Sequence, residues 1–166
     1  MLGANALYNF IMIKDPEKLT PQALWHSALG LLSRRDHSRL ELGQKLRLRQ
    51  FDNHLIELAL DKLVAQQWLC DERFARIQVR QHVLKRHGPM RIRMELTRKG
   101  VDESIIEQAL SEDETDWFEL AKACYESRFR GREIDDIKEK AKRVRYLQSR
   151  GFNSEQVRYA LATEPD

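Results

Sequence analysis

Five histidines, two cysteines and two acidic clusters are the residues of this 166-residue chain best suited to chemistry. His26, His37, His54, His82 and His87 are scattered, and His82 and His87 lack the i,i+4 spacing that puts two zinc ligands on one helix face. Cys70 and Cys124 form no C-x-x-C pair, so no disulfide framework is expected and a reducing, cytoplasmic setting fits. The clusters Asp113, Glu114, Asp116 and Asp135, Asp136 could hold a divalent ion but sit where helix caps and solvated faces are expected. A glycine-rich phosphate loop, G-x-S-x-G and H-E-x-x-H are all missing from the sequence. The expectation is therefore no catalytic residue, no cofactor, no metal site and no enzyme activity.

Binding chemistry is better represented. Lys and Arg number 29 against 26 Asp and Glu, a formal charge of only +3, but the charges are segregated. Residues 73–99 hold nine basic residues and one acid, 100–119 hold eight acids and no Lys or Arg, and 128–150 hold nine basic residues against four acids. Acidic blocks could complement basic ones internally or suit helix starts. Alternatively the basic blocks line a face for a phosphate backbone or an acidic protein groove. The candidate contact set on that second reading is Arg34, Arg35, Arg39, Arg86, Arg91, Arg93, Arg98, Lys99, Lys142, Arg143 and Arg145.

The elements that must position these groups follow from self-similarity at 50 to 51 residues. Leu46, Leu96 and Leu147 form one column; Phe51, Val101 and Phe152 a second; Asp52, Asp102 and Asn153 a third. Ile56, Ile106 and Val157 follow, then Ala59-Leu60, Ala109-Leu110 and Ala160-Leu161. Asp and Asn are N-cap residues, and an apolar residue before each with another four after it makes a hydrophobic staple. Gly100 and Gly151 stand where the preceding helix needs a left-handed residue, and Gln50 occupies that place in the first copy. Each copy thus encodes a helix, a tight turn and a helix.

A further helix precedes each pair. Leu24, Ala28, Leu31 and Leu32 give its apolar face in the first copy, Phe74, Ile77, Gln81 and Leu84 in the second, and Trp117, Leu120, Ala121, Cys124 and Tyr125 in the third. The middle helices start at Ser38, in a Ser38-x-x-Glu41 capping box, and at Gly88-Pro89; the third is expected to be extended, within 128–150. The reading is all-α: three tandem three-helix repeats (23–69, 70–112 and 113–166) stacked into an elongated, curved array. Trp25, Trp68 and Trp117 are expected in cores or at junctions between repeats. Residues 1–22 are expected to be a poorly ordered or loosely packed extension. Its apolar stretch, Ala6 to Ile13, has no basic lead and is not expected to be a signal peptide. No apolar run is long enough for a membrane span.

Leu32-Ser-Arg-Arg-Asp-His-Ser-x-x-Glu41-Leu42, with Lys45-Leu46, resembles the opening motif of the RecX family, bacterial regulators of the recombinase RecA. Phe74-Ala75 and His87-Gly88-Pro89-x-Arg91-Ile92-x-x-Glu95-Leu96-x-x-Lys99-Gly100-Val101 resemble that family's most recognisable segment, and Arg150-Gly151-Phe152 resembles its closing turn. Gln67 and Cys70 depart from the pattern, standing where Gly and Asp or Asn are usual. The resemblance implies a non-catalytic, monomeric, cytoplasmic protein that lies in the groove of the RecA–DNA filament. There it would inhibit ATP hydrolysis, filament extension and strand exchange, and so modulate recombinational repair and the SOS response. Weaker direct binding to single- or double-stranded DNA is also implied. The alternative is a stand-alone helical DNA-binding module, since a helix–turn–helix with basic residues suits groove recognition.

Overall fold

The computed structural model describes residues 19–129 and 136–162. Its described residues contain nine helices and no strand. These are α1 (Pro21–Leu32), α2 (Arg39–Leu48) and α3 (Asn53–Ala65); α4 (Asp71–Leu84), α5 (Pro89–Arg98) and α6 (Glu103–Glu112); and α7 (Trp117–Phe129), α8 (Ile137–Ser149) and α9 (Ser154–Ala162). The fold is all-α, in three three-helix repeats.

The column residues explain why each repeat closes. At the end of α2, Gln50 has φ 68°, and Gly100 and Gly151 have φ 73° and 95° at the ends of α5 and α8. The same two hydrogen bonds close all three turns. Phe51 N–H donates to the Leu46 carbonyl at 3.4 Å, Val101 to Leu96 at 3.1 Å and Phe152 to Leu147 at 3.2 Å. Gln50, Gly100 and Gly151 N–H donate to Arg47, Thr97 and Gln148 at 2.7, 2.9 and 2.9 Å. This is the Schellman arrangement, in which a left-handed residue lets the chain satisfy a helix's last carbonyls. Arg86 (φ 53°) and Gln67 (φ 58°) do the same at the ends of α4 and α3. The chain therefore keeps the left-handed turn at Gln67 even without the usual glycine.

The next helix starts at once. Asp52 accepts from Leu55 N–H at 3.1 Å and Asp102 from Ser104 N–H at 2.8 Å. Asn153 accepts from Gln156 N–H while the Gln156 amide oxygen accepts from Asn153 N–H, both at 2.9 Å, a reciprocal capping box. Each staple pair enters the core of its own repeat, as with Val101 and Ile106, or Phe152 and Val157.

The described residues divide into two compact units, one ending at Cys70 and the other beginning at Asp71. The first is built on Leu24, Ala28, Leu31, Leu42, Leu46, Ile56, Leu60 and Leu63. The second holds two cores, one around Phe74, Val79, Ile92, Leu96 and Ile106 and one around Cys124, Tyr125, Phe129, Leu147 and Val157.

Three sequence expectations change. Helix α1 begins at Pro21, two residues before the expected start of the first repeat at 23, with the Thr20 hydroxyl accepting from Ala23 N–H at 3.2 Å and the proline suited to the first turn. The inner face of α4 is Phe74, Ala75 and Val79, while Leu84 is 83% exposed. Trp68 is 48% exposed, its ring centroid 6.1 Å from that of Trp25, and is not a core residue. The middle helix of the third repeat is extended, as expected: Asp136 caps α8 through Glu139 N–H at 2.7 Å, and at 13 residues α8 is longer than α2 and α5, each of 10. Residues 1–18, including the apolar stretch, lie outside the described residues.

A left-handed backbone costs a residue with a Cβ about 1–2 kcal/mol, part of which glycine returns through its freer unfolded chain. Gln50→Gly is therefore expected to stabilise the first unit by about 1 kcal/mol. A urea titration followed by Trp fluorescence, which reads Trp25 and Trp68 in that unit, measures the shift; a midpoint unchanged or lowered would contradict the turn.

Candidate functional site

The motif His87-Gly88-Pro89-x-Arg91 lies where α4 meets α5, and it is half of a contact between repeats. Gly88 N–H donates to the Arg150 carbonyl at 2.8 Å, and Met90 N–H donates to the Gly151 carbonyl at 3.1 Å. The exposed-donor end of α5 is thus satisfied by the exposed-acceptor end of α8. The approach is too close for side chains: a Cβ on Gly88 would stand 2.5 Å from the Gly151 carbonyl carbon. Arg91 reaches across to the Ser149 carbonyl at 3.3 Å, and Arg150 donates to the carbonyl of Lys85. Arg91, expected at a partner, is half-buried in this junction.

Most of the other candidate cations are also engaged within their own unit. Arg35 makes a two-pronged bond to Glu41 at 2.6 and 3.0 Å, which raises the arginine's pKa, and Arg39 meets Glu57 and Asp61 at 2.9 and 2.8 Å. Arg93 grips Glu107 at 2.5 and 2.8 Å, and this bond holds the Glu107 carboxyl below its ordinary range. Arg98 does the same to Glu95 at 2.7 Å. Lys99 lies over the Phe74 ring at 5.7 Å. The acidic block after Gly100 thus partly neutralises the basic block before it, with Arg76 to Glu112 at 3.6 Å as a further link. Arg34, Arg86 and Arg145 are exposed, and Lys142 stands 62% exposed beside Glu139 at 3.1 Å.

Arg143 is a correction. It is fully buried, with 0% exposure, and cannot be a surface contact. Its guanidinium donates to the Tyr125 hydroxyl, meets Glu139 at 3.3 Å, and lies 5.7 and 5.2 Å from the ring centroids of Tyr125 and Phe129. The repeat spacing carried the signal: Leu42, Ile92 and Arg143 share one column, and the first two are core residues.

Two histidines form a close pair. His87 Nδ1 lies 2.9 Å from His82 Nδ1, so one nitrogen donates and the other accepts, and both cannot be protonated there. Burial, then Arg91 and Arg150, push His87 down to about 4; burial and Lys85 push His82 down. Its counterpart His37 is likewise buried and lowered, with Nδ1 3.0 Å from the Arg35 carbonyl. No group of three or more His, Cys, Asp or Glu gathers in metal-binding fashion among the described residues. No described helix is long and apolar enough to cross a membrane.

Three exposed features stand out, and of their residues only Lys142 and Arg145 were singled out as contacts by sequence reasoning. Met90 and Met94, 55% and 62% exposed, stand one turn apart on α5, flanked by Arg93 and Arg98. A hollow of about 360 Å³ in the first unit is lined by Trp25, Leu55, Leu58 and Lys62. On α8, Lys138, Lys142 and Arg145 fall on one outer stripe at i, i+4, i+7. Only chemical detail beyond periodicity, namely which charges are cancelled, separates such faces from solvated ones.

The molecule is an all-helical repeat protein in which most of the candidate cations serve junctions, ion pairs or ring contacts. Its helices match family models for the first (residues 25–63), second (71–110) and third (114–161) three-helix domains of RecX. It is 49% identical over 140 residues to the regulatory protein RecX of Vibrio parahaemolyticus, covering 84% of this chain and 90% of that one. It is 38% identical over 138 residues to that of Pseudomonas entomophila, covering 83% and 89%. The crystal structure of RecX from Lactobacillus salivarius superimposes with a TM-score of 0.74 at 25% identity, over 86% of this chain and 94% of that one. The chain belongs to the RecX family of regulatory proteins.

Two outcomes follow from the buried polar groups. Arg143→Ala leaves a cavity between Tyr125 and Phe129 and should cost about 3 kcal/mol, whereas Arg143→Met, restoring an apolar column, should cost under about 1 kcal/mol or stabilise. Equilibrium denaturation compares them, and equal losses would contradict this account. His87 titrates lower when folded than its ordinary 6.5, so its contribution is complete above pH 6.5 and lost as pH falls toward 4. Lys85, Arg91 and Arg150 add to the penalty for a second proton; Glu95 beside His82 opposes it. The loss should be on the order of 3 kcal/mol between pH 7 and 4 and should shrink by more than half in His87→Asn, read from thermal midpoints across that range.

Proposed function

We propose that the chain is a non-catalytic regulator of RecA that lies in the groove of the RecA–DNA filament. Bound there it inhibits ATP hydrolysis, filament extension and strand exchange, with some direct contact to DNA. It acts as a cytoplasmic monomer. The RecX family points to RecA as the partner. The observation that carries the reading further is the outer face of α5. Met90 and Met94 present adaptable apolar surface, and Thr97 continues their stripe. Arg93 and Arg98 flank it with their charge already answered by Glu107 and Glu95. An apolar centre with a polar, ion-paired rim is what a protein partner meets at an interface; a naked cationic face would suit phosphate better.

DNA-dependent ATP hydrolysis by the RecA of the same bacterium should fall when the chain is added at sub-stoichiometric amounts, and unchanged hydrolysis at equimolar protein would reject the reading. Met90→Gln with Met94→Gln should raise the concentration giving half-inhibition about tenfold, a loss of roughly 1.4 kcal/mol, with helix content kept by circular dichroism. The basic stripe of α8 favours a second reading, in which DNA is bound without RecA. That reading requires tight RecA-free binding with a steep dependence on salt.

A further inference from the structure

The two basic blocks that look alike in sequence differ in the folded chain, and we infer that the stripe Lys138, Lys142 and Arg145 on α8 is the DNA-phosphate contact, while the α5 arginines are not. The inference rests on the DNA-contact part of the reading above.

The first ground is charge accounting. Arg93 and Arg98 each face one carboxylate of their own unit, Glu107 at 2.5 Å and Glu95 at 2.7 Å, and Arg91 is turned into the junction with Ser149. These bonds would have to break before phosphate could take their place. On α8 the arithmetic is reversed. Glu139 meets both Lys142 at 3.1 Å and the buried Arg143 at 3.3 Å, so Lys142 does not have that carboxylate to itself. Arg145 and Lys138 are exposed and make no ion pair among the described residues.

The second ground is geometry. In an α-helix, positions 138, 142 and 145 stand about 6 and 4.5 Å apart along the axis and within roughly 60° around it. A DNA strand in a duplex carries a charge about every 3.4 Å of its axis, so the stripe offers about one cation for every one to two phosphates of a strand lying along it. Lys and Arg stems are long enough to absorb the mismatch.

The third ground is what the stripe lacks. Protein interfaces centre on apolar or aromatic anchors with charge depleted at the core. The exposed apolar residue of α8, Ile137, lies roughly 100° from Lys138 around the helix and outside the stripe. A line of cations without an anchor fits a polyanion; the methionine face of α5 fits a protein. The two helices hold equivalent places in their repeats, with different outer faces.

The test is a fluorescence-anisotropy titration of the full chain with a labelled duplex and a labelled single strand at several salt concentrations. The triple variant Lys138→Gln, Lys142→Gln, Arg145→Gln should lose at least about tenfold in affinity near 0.1 M salt. Its slope of log affinity against log salt should fall by roughly 2 to 3. The charge-neutral pair Arg93→Gln with Glu107→Gln should leave affinity and slope unchanged. Thermal midpoints check that each variant folds, and if the triple variant does not, Arg145→Gln alone should lower the slope by about 1. A wild-type slope in the stripe variant, or an equal loss in the neutral pair, would overturn the assignment while leaving DNA binding intact. Loss of RecA inhibition with DNA affinity unchanged would assign the stripe to an acidic protein surface and also overturn it. A wild-type chain that binds neither DNA would remove the inference together with the DNA-contact part of the proposed function, but would leave RecA inhibition standing or falling on its own assay.

Discussion

The carbonyl of Gly151 beside the first turn of α5 is the contact on which the second unit depends. A helix ends with carbonyls that have no partner and begins with N–H groups that have none. Here the end of α8 and the start of α5 answer each other, through Gly88 to Arg150 and Met90 to Gly151. The negative end of one helix dipole meets the positive end of the other, which favours the same arrangement. Each of the two glycines is needed because the facing segment of the chain passes where its Cβ would be. The guanidiniums of Arg91 and Arg150 then reach over the joint to the carbonyls of Ser149 and Lys85. The most recognisable sequence motifs of the chain, around Gly88 and Gly151, are therefore two halves of one internal joint. The close approach of the two backbones accounts for both glycines without a ligand.

That joint sets what remains for a partner. Once Arg91 is committed to it and Arg93 and Arg98 to their carboxylates, α5 offers methionines and a satisfied rim. Arg143 is drawn inward to Tyr125 and Phe129 and shares Glu139 with Lys142, while Lys138, Lys142 and Arg145 remain exposed on the outer stripe of α8. A buried guanidinium is costly, and its position in a column of Leu42 and Ile92 shows that the fold does not demand it.

The fold was legible because its signals are local and repeated. Left-handed turns, N-caps and staples are set by three or four adjacent residues, so Gly100, Asp102 and Ile106 announce a turn and a helix without reference to anything distant. Where the usual residue is missing, as at Gln50 and Gln67, the neighbouring hydrogen bonds still impose the left-handed backbone. The face of α4 was less legible because Leu84 obeys helical periodicity yet lies in the last turn, beyond the core that would cover it.

The candidate site was legible as charge and illegible as surface. A run of arginines states how much positive charge a segment carries, but not how much survives folding. That depends on whether a carboxylate ten or more residues away, such as Glu107 for Arg93 or Glu57 for Arg47, comes within hydrogen-bond reach. It depends equally on which side of a helix faces the core, and this decides between Arg143 and Arg145 although they stand two residues apart. The repeat register could have made that second distinction from sequence, since it aligns Arg143 with Leu42 and Ile92. No such register reveals the first, because each exposed pair is worth too little to shape a column of its own. Blocks of alternating charge in a helical repeat therefore mark where polyanion binding is worth seeking, and only the leftover charge after internal pairing marks where it can occur.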